Sequence, residues 1–147
     1  MSKTIELLGQ QHQDVLACFA EVEGKMGGDG HDLAEFLAFL EREVGGHFTL
    51  EEQALFPVMA RHPHLAQGPL RVMESEHATF RELRQRLADA VQSKDYAAQR
   101  EAAAAVMELL REHIAKEDQV LFPMALQTLS ADEQREVETR AAQLAAR

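Results

Sequence analysis

Apolar residues recur at intervals of three and four along most of the chain, which is the spacing of one face of an α-helix. Such stripes cover about residues 4–26, 32–61, 69–92 and 95–127, and a shorter one covers 131–145. No alternation of the β-strand type competes with this pattern. The spacing therefore predicts an all-α protein, an up-down-up-down four-helix bundle with a short C-terminal helix appended.

Breakers and capping residues separate the stripes. The run Gly27-Gly28-Asp29-Gly30 ends the first helix. The later helix starts are marked by residues that cap or begin helices: Asp29 or Asp32 for the second, Pro69 for the third, and Ser93 or Asp95 for the fourth. We predict that His31, His62 and His64, which lie in the connectors, are surface residues.

Three local features refine the predicted helices. Pro57 lacks the N–H that would bond to the carbonyl of Gln53, so a kink or helix end is expected there. Gly45-Gly46 lies in the middle of the second helix, where small residues would let a neighbouring helix or bound group approach closely. Ser130 and Glu133 form a capping box for the last helix, whose apolar content is mostly alanine. We therefore expect that helix to lie loosely on the bundle.

Composition bounds the class of protein. At 147 residues the chain is most simply one domain. Its single cysteine, Cys18, excludes an intrachain disulfide and fits a reducing compartment, and we interpret it as a packing residue. The formal net charge of −10 disfavours nucleic acids and anionic membranes as partners. With no signal peptide or membrane-spanning run, a cytoplasmic protein is predicted, either a monomer or a homo-oligomer.

One eleven-residue motif occurs twice. His47 begins HFTLEEQALFP and His113 begins HIAKEDQVLFP, so six of eleven positions are identical and the copies lie 66 residues apart (113 − 47). Two further histidines, His12 and His77, lie 65 residues apart (77 − 12). The matching offsets predict two tandem copies of one helical hairpin, which is an internal two-fold repeat.

Each motif copy places a carboxylate four residues after its histidine, so His47 and Glu51 share a helix face, as do His113 and Glu117. Both pairs lie in apolar stripes that face the core, where a lone carboxylate must find a partner or lose its charge. The stripes contain no lysine or arginine at that level, so we expect a metal cation as the partner. Four imidazoles and two carboxylates would serve two first-row metals and leave positions open for a small molecule; the ligand types suit iron, zinc, copper or manganese.

Two alternatives compete with a metal site of this kind. A single His-x-x-x-Glu arises easily by chance, and a lone histidine on an apolar face is more often a hydrogen-bonded core residue, so a structural bundle with buried His–Glu pairs stays open. A ferritin-like site needs Glu-x-x-His on two helices, and only Glu74 with His77 fits that pattern. The duplication of the motif favours the metal site over both.

In combination these motifs resemble the hemerythrin-like, or HHE cation-binding, family over roughly residues 5–127. The resemblance is carried by His12, by His47-x-x-x-Glu51 and His113-x-x-x-Glu117, each followed by Leu-Phe-Pro, and by Glu76-His77. It implies one hemerythrin-like domain over 1–147, with the bundle at about 4–127, that holds two iron ions with an oxo or hydroxo bridge. By the same resemblance the four histidines are terminal ligands and Glu51 and Glu117 are bridges. Zinc or manganese are the alternative metals.

Two positions differ from the oxygen-carrying hemerythrins. Those proteins have a further histidine where this chain has Arg81, and their last carboxylate would correspond here to Asp118. The set of four histidines and two glutamates is instead similar to the branch that includes iron–sulfur repair proteins, which carry an N-terminal cysteine-bearing segment not present in residues 1–147. Asp118 and Glu52 follow the two glutamates directly and are candidate acceptors for imidazole N–H groups, or alternatively ligands.

The leading hypothesis from the sequence is a di-iron protein that binds or senses a diatomic molecule such as oxygen or nitric oxide, or handles iron. An enzyme that reduces peroxide or nitric oxide at the same centre is an alternative, as is an iron-centre repair protein. A bundle that recognises a partner protein is a third class. The stripes supply no further acid–base pair or nucleophile, so the enzyme reading is the weaker one.

Overall fold

The computed structural model describes residues 2–26 and 32–146, and all regular structure in these ranges is helical. The elements in chain order are α1 (Lys3–Lys25), α2 (34–59), a short turn α3 (Pro63–Ala66), α4 (Pro69–Ser93), α5 (96–128) and α6 (Ala131–Ala145). The predicted all-α class is therefore confirmed, and the helices form a bundle. None of the described helices is both long and apolar enough to cross a membrane.

Side-chain caps mark the starts of three of the six described helices. Ser2 accepts a hydrogen bond from the N–H of Ile5 at the start of α1, and Asp95 accepts one from the N–H of Ala98 at the start of α5. The predicted capping box of α6 is present with both of its hydrogen bonds. Each bond satisfies an N–H group that the first turn of a helix would otherwise leave free.

Asp32, a predicted cap of α2, lies two residues before the helix, and its carboxylate accepts a hydrogen bond from the N–H of Ala34 at 2.8 Å. Three other features predicted for this region, the breaker 27–30, the alternative cap Asp29 and the surface histidine His31, lie outside the described residues.

Three turns within α2 and α5 are π-helical rather than α-helical: Leu40–Val44, Glu51–Leu55 and Glu117–Leu121. The last two begin at the motif glutamates, where the N–H groups of Phe56 and Phe122 bond to carbonyls five residues back. The next residue in each copy is a proline, which has no N–H to donate. After the widened turn α2 continues only to 59, so the predicted helix end just past Pro57 is confirmed, whereas α5 continues past its proline to 128.

Two hydrophobic clusters form the core. They lie on either side of the four candidate ligand histidines, His12, His47, His77 and His113. Cluster A includes Val15, Phe19, Val44, Phe48, Phe80, Leu110 and Ile114. Cluster B includes Ile5, Leu8, Leu55, Met73, Leu121 and Val137. Along α1 and α4 the cluster B residues come first, whereas along α2 and α5 the cluster A residues come first.

The C-terminal helix is docked by specific contacts, so the expectation that it lies loosely is wrong. Val137 is fully buried in cluster B. The carboxylate of Glu138 accepts hydrogen bonds from the hydroxyl of Ser2 at 3.0 Å and the N–H of Thr4 at 2.9 Å. Arg61 at the end of α2 donates two hydrogen bonds to Glu136. Because most apolar residues of α6 are alanines, its sequence did not indicate that Val137 would anchor the helix or that polar contacts would support it.

Two connector and glycine predictions also change. The connector after α2 contains the helical turn α3, and within it His64 is exposed, as predicted, whereas His62 is half-buried against Glu133 of α6. A Cβ built on Gly46 meets no atom within 4 Å in the described part of the chain, and one on Gly45 meets only the carbonyl of Leu40 at 3.7 Å. The predicted close approach of a neighbouring helix at this glycine pair is therefore wrong, whereas the approach of a bound group stays a prediction.

Truncation of the α6 anchor tests how firmly that helix is docked. Val137→Ala should lower the free energy of unfolding by about 2 kcal/mol, because it removes buried methyl groups and leaves a cavity. Val72→Ala is the matched control, since Val72 is exposed on α4, and it should change stability by less than about 0.5 kcal/mol. Equal values for the two variants in urea titrations would mean that α6 is held only weakly.

Candidate metal centre

The four histidines and two glutamates singled out by the motifs meet between clusters A and B. They form two groups whose nitrogen and oxygen atoms lie within 4.8 Å of one another: the His12 group of His12, His47 and Glu117, and the His77 group of His77, His113 and Glu51. All six side chains are buried. Each group therefore combines two histidines from one half of the chain with the glutamate of the other half.

The two carboxylates contact histidines of both groups. One oxygen of Glu117, Oε1, lies 3.0 Å from Nε2 of His12, 3.7 Å from Nε2 of His47 and 3.4 Å from Nε2 of His113. Glu51 places Oε1 3.2 Å from Nε2 of His77 and Oε2 3.5 Å from Nε2 of His47. This is the placement that a carboxylate shared between two cations requires.

Most of the inward-facing atoms have no hydrogen-bond partner among the described residues. They are Nε2 of His47, His77 and His113, both carboxylate oxygens of Glu51, and Oε2 of Glu117. A buried polar atom left in this state costs about 1–3 kcal/mol. Ligands that bind one metal ion at about 2.1 Å lie about 3 Å apart, which is close to the separations across this site. The unpaired imidazole and carboxylate atoms therefore fit a pair of first-row metal ions.

The outer nitrogen of every histidine, Nδ1, lies against an acceptor on a neighbouring helix. The four pairs are His12 with Asp118 at 2.8 Å, His47 with Gln11 at 2.8 Å, His77 with Glu52 at 2.7 Å and His113 with Glu76 at 2.9 Å. An acceptor at this position holds the proton on Nδ1 and fixes the ring orientation. Each Nε2 lone pair is thereby directed at the buried centre.

Asp118 and Glu52, for which the sequence left two roles open, occupy equivalent places beside the centre. Both are acceptors for Nδ1 atoms and neither belongs to the two inward groups. Gln11 has the same role, which the sequence reasoning missed, and Glu76 entered there only through the family resemblance. The signal for both was present, because each directly precedes one of the two histidines that lie 65 residues apart.

Cationic side chains reach these outer acceptors instead of the buried glutamates. Arg81 donates two hydrogen bonds to Glu52, at 2.7 and 2.9 Å, and Lys116 donates one to Glu76 at 2.5 Å. Within the described ranges, neither Glu51 nor Glu117 pairs with a lysine or arginine. Arg81, which stands where oxygen-carrying hemerythrins have a histidine, thus supports the acceptor of His77.

The pKa values of the two buried carboxyl groups, Glu51 and Glu117, are shifted in opposite directions. Burial raises the pKa of Glu51 well above the ordinary range of a carboxyl group, and the charge of Glu117 raises it further. Burial also acts to raise the pKa of Glu117, but the adjacent Glu51 carboxyl group and the imidazoles of His113, His12 and His47 hold that pKa well below its usual range. In the protein without a cation, Glu51 therefore keeps its proton to a higher pH than Glu117 does.

This difference predicts that metal binding releases the proton of Glu51. Since a carboxylate must be ionised to bind a cation, the apparent metal affinity should rise with pH by about tenfold per unit below the raised pKa of Glu51. Calorimetric titrations with zinc in buffers of different ionisation enthalpy measure the released protons directly. Binding without proton release, or affinity that falls as pH rises, would contradict the raised pKa of Glu51.

The outer acceptors can be tested at Asp118. Asp118→Ala should lower metal affinity by about 10- to 100-fold, because His12 loses the group that orients its ring. Asp118→Asn should lose much less, since an amide oxygen serves His47 in the same way through Gln11. Asp89→Ala, an exposed acid on α4, is the control in competition with a chromophoric chelator. Equal losses in the two Asp118 variants would instead indicate that its carboxylate binds the metal.

Comparison with known proteins supports the family resemblance that the motifs indicated. The chain matches the Hemerythrin HHE cation binding domain over residues 3–125. It is 34% identical over 103 residues to the iron-sulfur cluster repair protein YtfE of Citrobacter koseri, and 36% identical over 105 residues to the YtfE protein of Enterobacter sp. strain 638. Both alignments cover 64% of this chain and 47% of the relative, so the chain spans about half the length of the curated relatives it matches.

No solved structure matches the chain significantly. The domain match nevertheless covers most of the chain. It contains both copies of the motif and all six buried histidine and glutamate residues of the centre. The family suggested by the motifs is thereby confirmed: the chain belongs to the hemerythrin HHE cation-binding domain family.

Proposed function

We propose that the chain is a non-haem di-iron protein that binds or senses a diatomic molecule such as oxygen or nitric oxide. In this proposal the four histidines are terminal ligands, two on each iron, and Glu51 and Glu117 bridge the two irons. The observation that carries the proposal is the set of buried inward-facing atoms without partners, which lies at the meeting point of both groups.

The donor set favours iron over a structural zinc site. Structural zinc is almost always held by four protein ligands in a closed tetrahedron, whereas six donors shared between two ions leave positions open. The donors are imidazole and carboxylate, and Cys18 packs against cluster A instead of joining them. Bound reduced iron would bind a diatomic molecule by donating electron density to it. Manganese and zinc are the alternatives that a metal analysis separates from iron.

A small apolar chamber adjoins the centre and supports a diatomic ligand. Its volume is about 10 Å³, and it is lined by Val15, Val44, Phe48, Leu110 and Ile114 together with His12, His47 and His113. A space of this size holds about one water-sized molecule. Its small volume and its aliphatic and aromatic lining favour a small neutral molecule over larger or charged substrates. Apart from the histidines it offers no proton donor in the described structure, which favours binding over multi-step reduction.

Iron-centre repair is the second candidate function, and the relatives favour it. The similar proteins of known name are iron-sulfur cluster repair proteins, but the chain spans about half their length. A repair protein must deliver iron, so transfer from the loaded chain to an apo iron–sulfur protein separates this candidate from a sensor. An enzyme that reduces peroxide or nitric oxide would instead show turnover above that of free iron.

We also propose the finer architecture: one domain made of two helical hairpins in up-down-up-down order. It is supported by the reversal of cluster order from each long bundle helix to the next and by the exchange of glutamates between halves. The cytoplasmic location predicted from the cysteine content and the N-terminal sequence stays a prediction.

Metal content and absorption spectra test the di-iron proposal. Protein reduced without air and then oxidised should contain two irons per chain, one for each group, and should gain the near-ultraviolet absorption of an oxo-bridged pair. Glu51→Ala and Glu117→Ala should lose both iron and absorption because each removes a bridge. Glu112→Ala, an exposed glutamate on α5, is the control.

The reduced protein should also form a nitrosyl complex when nitric oxide is added. A single metal, zinc alone, or no metal after reconstitution with iron would refute the proposed centre. Unchanged iron content in both bridge variants would refute the assignment of the glutamates.

A further inference from the structure

Two surface grooves approach the apolar chamber from outside. The α1–α2 groove has a volume of about 310 Å³ and is lined by Gln11, Asp14, Val15, Phe39, Arg42 and Glu43. The α2–α4 groove has a volume of about 320 Å³ and includes Phe48, Phe80, Arg81 and Arg84. Each groove shares one lining residue with the chamber: Val15 in the first and Phe48 in the second. These two side chains are therefore the walls between the chamber and the grooves.

The Phe48 wall is held in place by other rings. Its ring is stacked on that of His77, with the centroids 3.7 Å apart and an interplanar angle of 13°. It also meets the edge of Phe80 at 5.0 Å and lies 5.4 Å from the ring of His113. Stacked and edge-to-face contacts of this kind stabilise an aromatic ring beyond the burial of its area. Displacement of Phe48 would disturb two histidines of the centre at once.

The Val15 wall is thinner. Val15 is 6% exposed, has no ring, and separates the groove from the chamber with one branched side chain. The groove also reaches the edge of the centre, since Gln11 lines it and accepts from Nδ1 of His47 at 2.8 Å. Movement of this one side chain would connect the surface groove with the chamber.

The helix opposite Val15 is irregular at the same level. The π turn Leu40–Val44 is the one π turn of the described chain that lies outside the duplicated motif. Arg42 and Glu43 from this turn line the groove, and Val44 lines the chamber. π turns interrupt the regular ladder of helical hydrogen bonds and occur often at functional sites. This turn and Val15 together form the partition.

We propose that the small ligand reaches the metal centre through the α1–α2 groove and past Val15, whose size sets the rate of passage. The inference rests on the proposed function, because it assumes that a small molecule binds at the centre. The groove carries two carboxylates, Asp14 and Glu43, against one guanidinium, Arg42, so its net charge is negative. The route therefore favours neutral molecules such as nitric oxide or oxygen over anions.

A graded series at Val15 tests the route. In iron-loaded, reduced protein, stopped-flow mixing with nitric oxide should show faster association for Val15→Ala and slower association for Val15→Ile, each by severalfold. Dissociation should change by the same factor and the Kd should stay constant, because a gate alters the barrier and not the bound state. Val106→Ala is the matched control, since Val106 is equally buried in cluster A but lines neither the groove nor the chamber.

Iron content and circular dichroism first establish that each variant is folded and loaded. Equal rates in wild type and both Val15 variants would overturn the route. A changed Kd with an unchanged association rate would also overturn it, since Val15 would then be part of the binding site and not a gate.

If no variant or wild type forms a nitrosyl complex, the proposed function fails, and the route is tested without iron. In the zinc-loaded full chain under oxygen pressure, relaxation dispersion of the Val44 and Ile114 methyl groups measures the rate at which oxygen enters and leaves the chamber. This exchange should be faster in Val15→Ala than in Val106→Ala. The same exchange rate in both variants would overturn the route independently of any metal-bound ligand.

Discussion

The burial of two carboxylates in an apolar bundle is the constraint on which the rest of the structure depends. Glu51 and Glu117 are fully buried, and in the described residues neither meets a lysine or arginine. Such groups must bind a cation, find neighbours that stabilise their charge, or keep a proton, and in the protein alone the pKa of Glu51 is raised while that of Glu117 is lowered by its neighbours. Four imidazoles aimed at the same space, each oriented from outside by an acceptor, make the first course available.

The exchange of glutamates gives this centre a role in the fold as well as in binding. Glu117 joins the histidines of the first half of the chain, and Glu51 joins those of the second half. Neither half could complete a group alone, so bound metal would tie the two halves together. Binding free energy would then appear as stability, as it does in other proteins whose metal site forms only on folding. The two hydrophobic clusters on either side keep the histidines at one level.

The sequence predicted the site better than its surroundings. Spacing by four along a helix and two matching offsets sufficed to place His47 with Glu51 and the other buried groups together. Gln11 was missed although it precedes His12 as Glu76 precedes His77, because the two residues differ in type and the shared position shows only when the two copies are aligned. The docking of α6 was missed because it depends on where Val137 meets cluster B. Such contacts between distant segments have no local pattern, whereas helical spacing does.

The π turns show where regular helix was not retained. Two of them begin at the glutamates and carry the chain past Pro57 and Pro123, so the motif that supplies the carboxylates also fixes the local irregularity. A proline in the sequence predicts a break in the helix. It does not predict that hydrogen bonds between residues five apart will form beside the proline and let the helix continue. The turn Leu40–Val44 has no proline, and nothing in the metal motif accounts for it. This turn lies between the α1–α2 groove and the chamber. The proposed route to the metal centre would explain why α2 is irregular at this position.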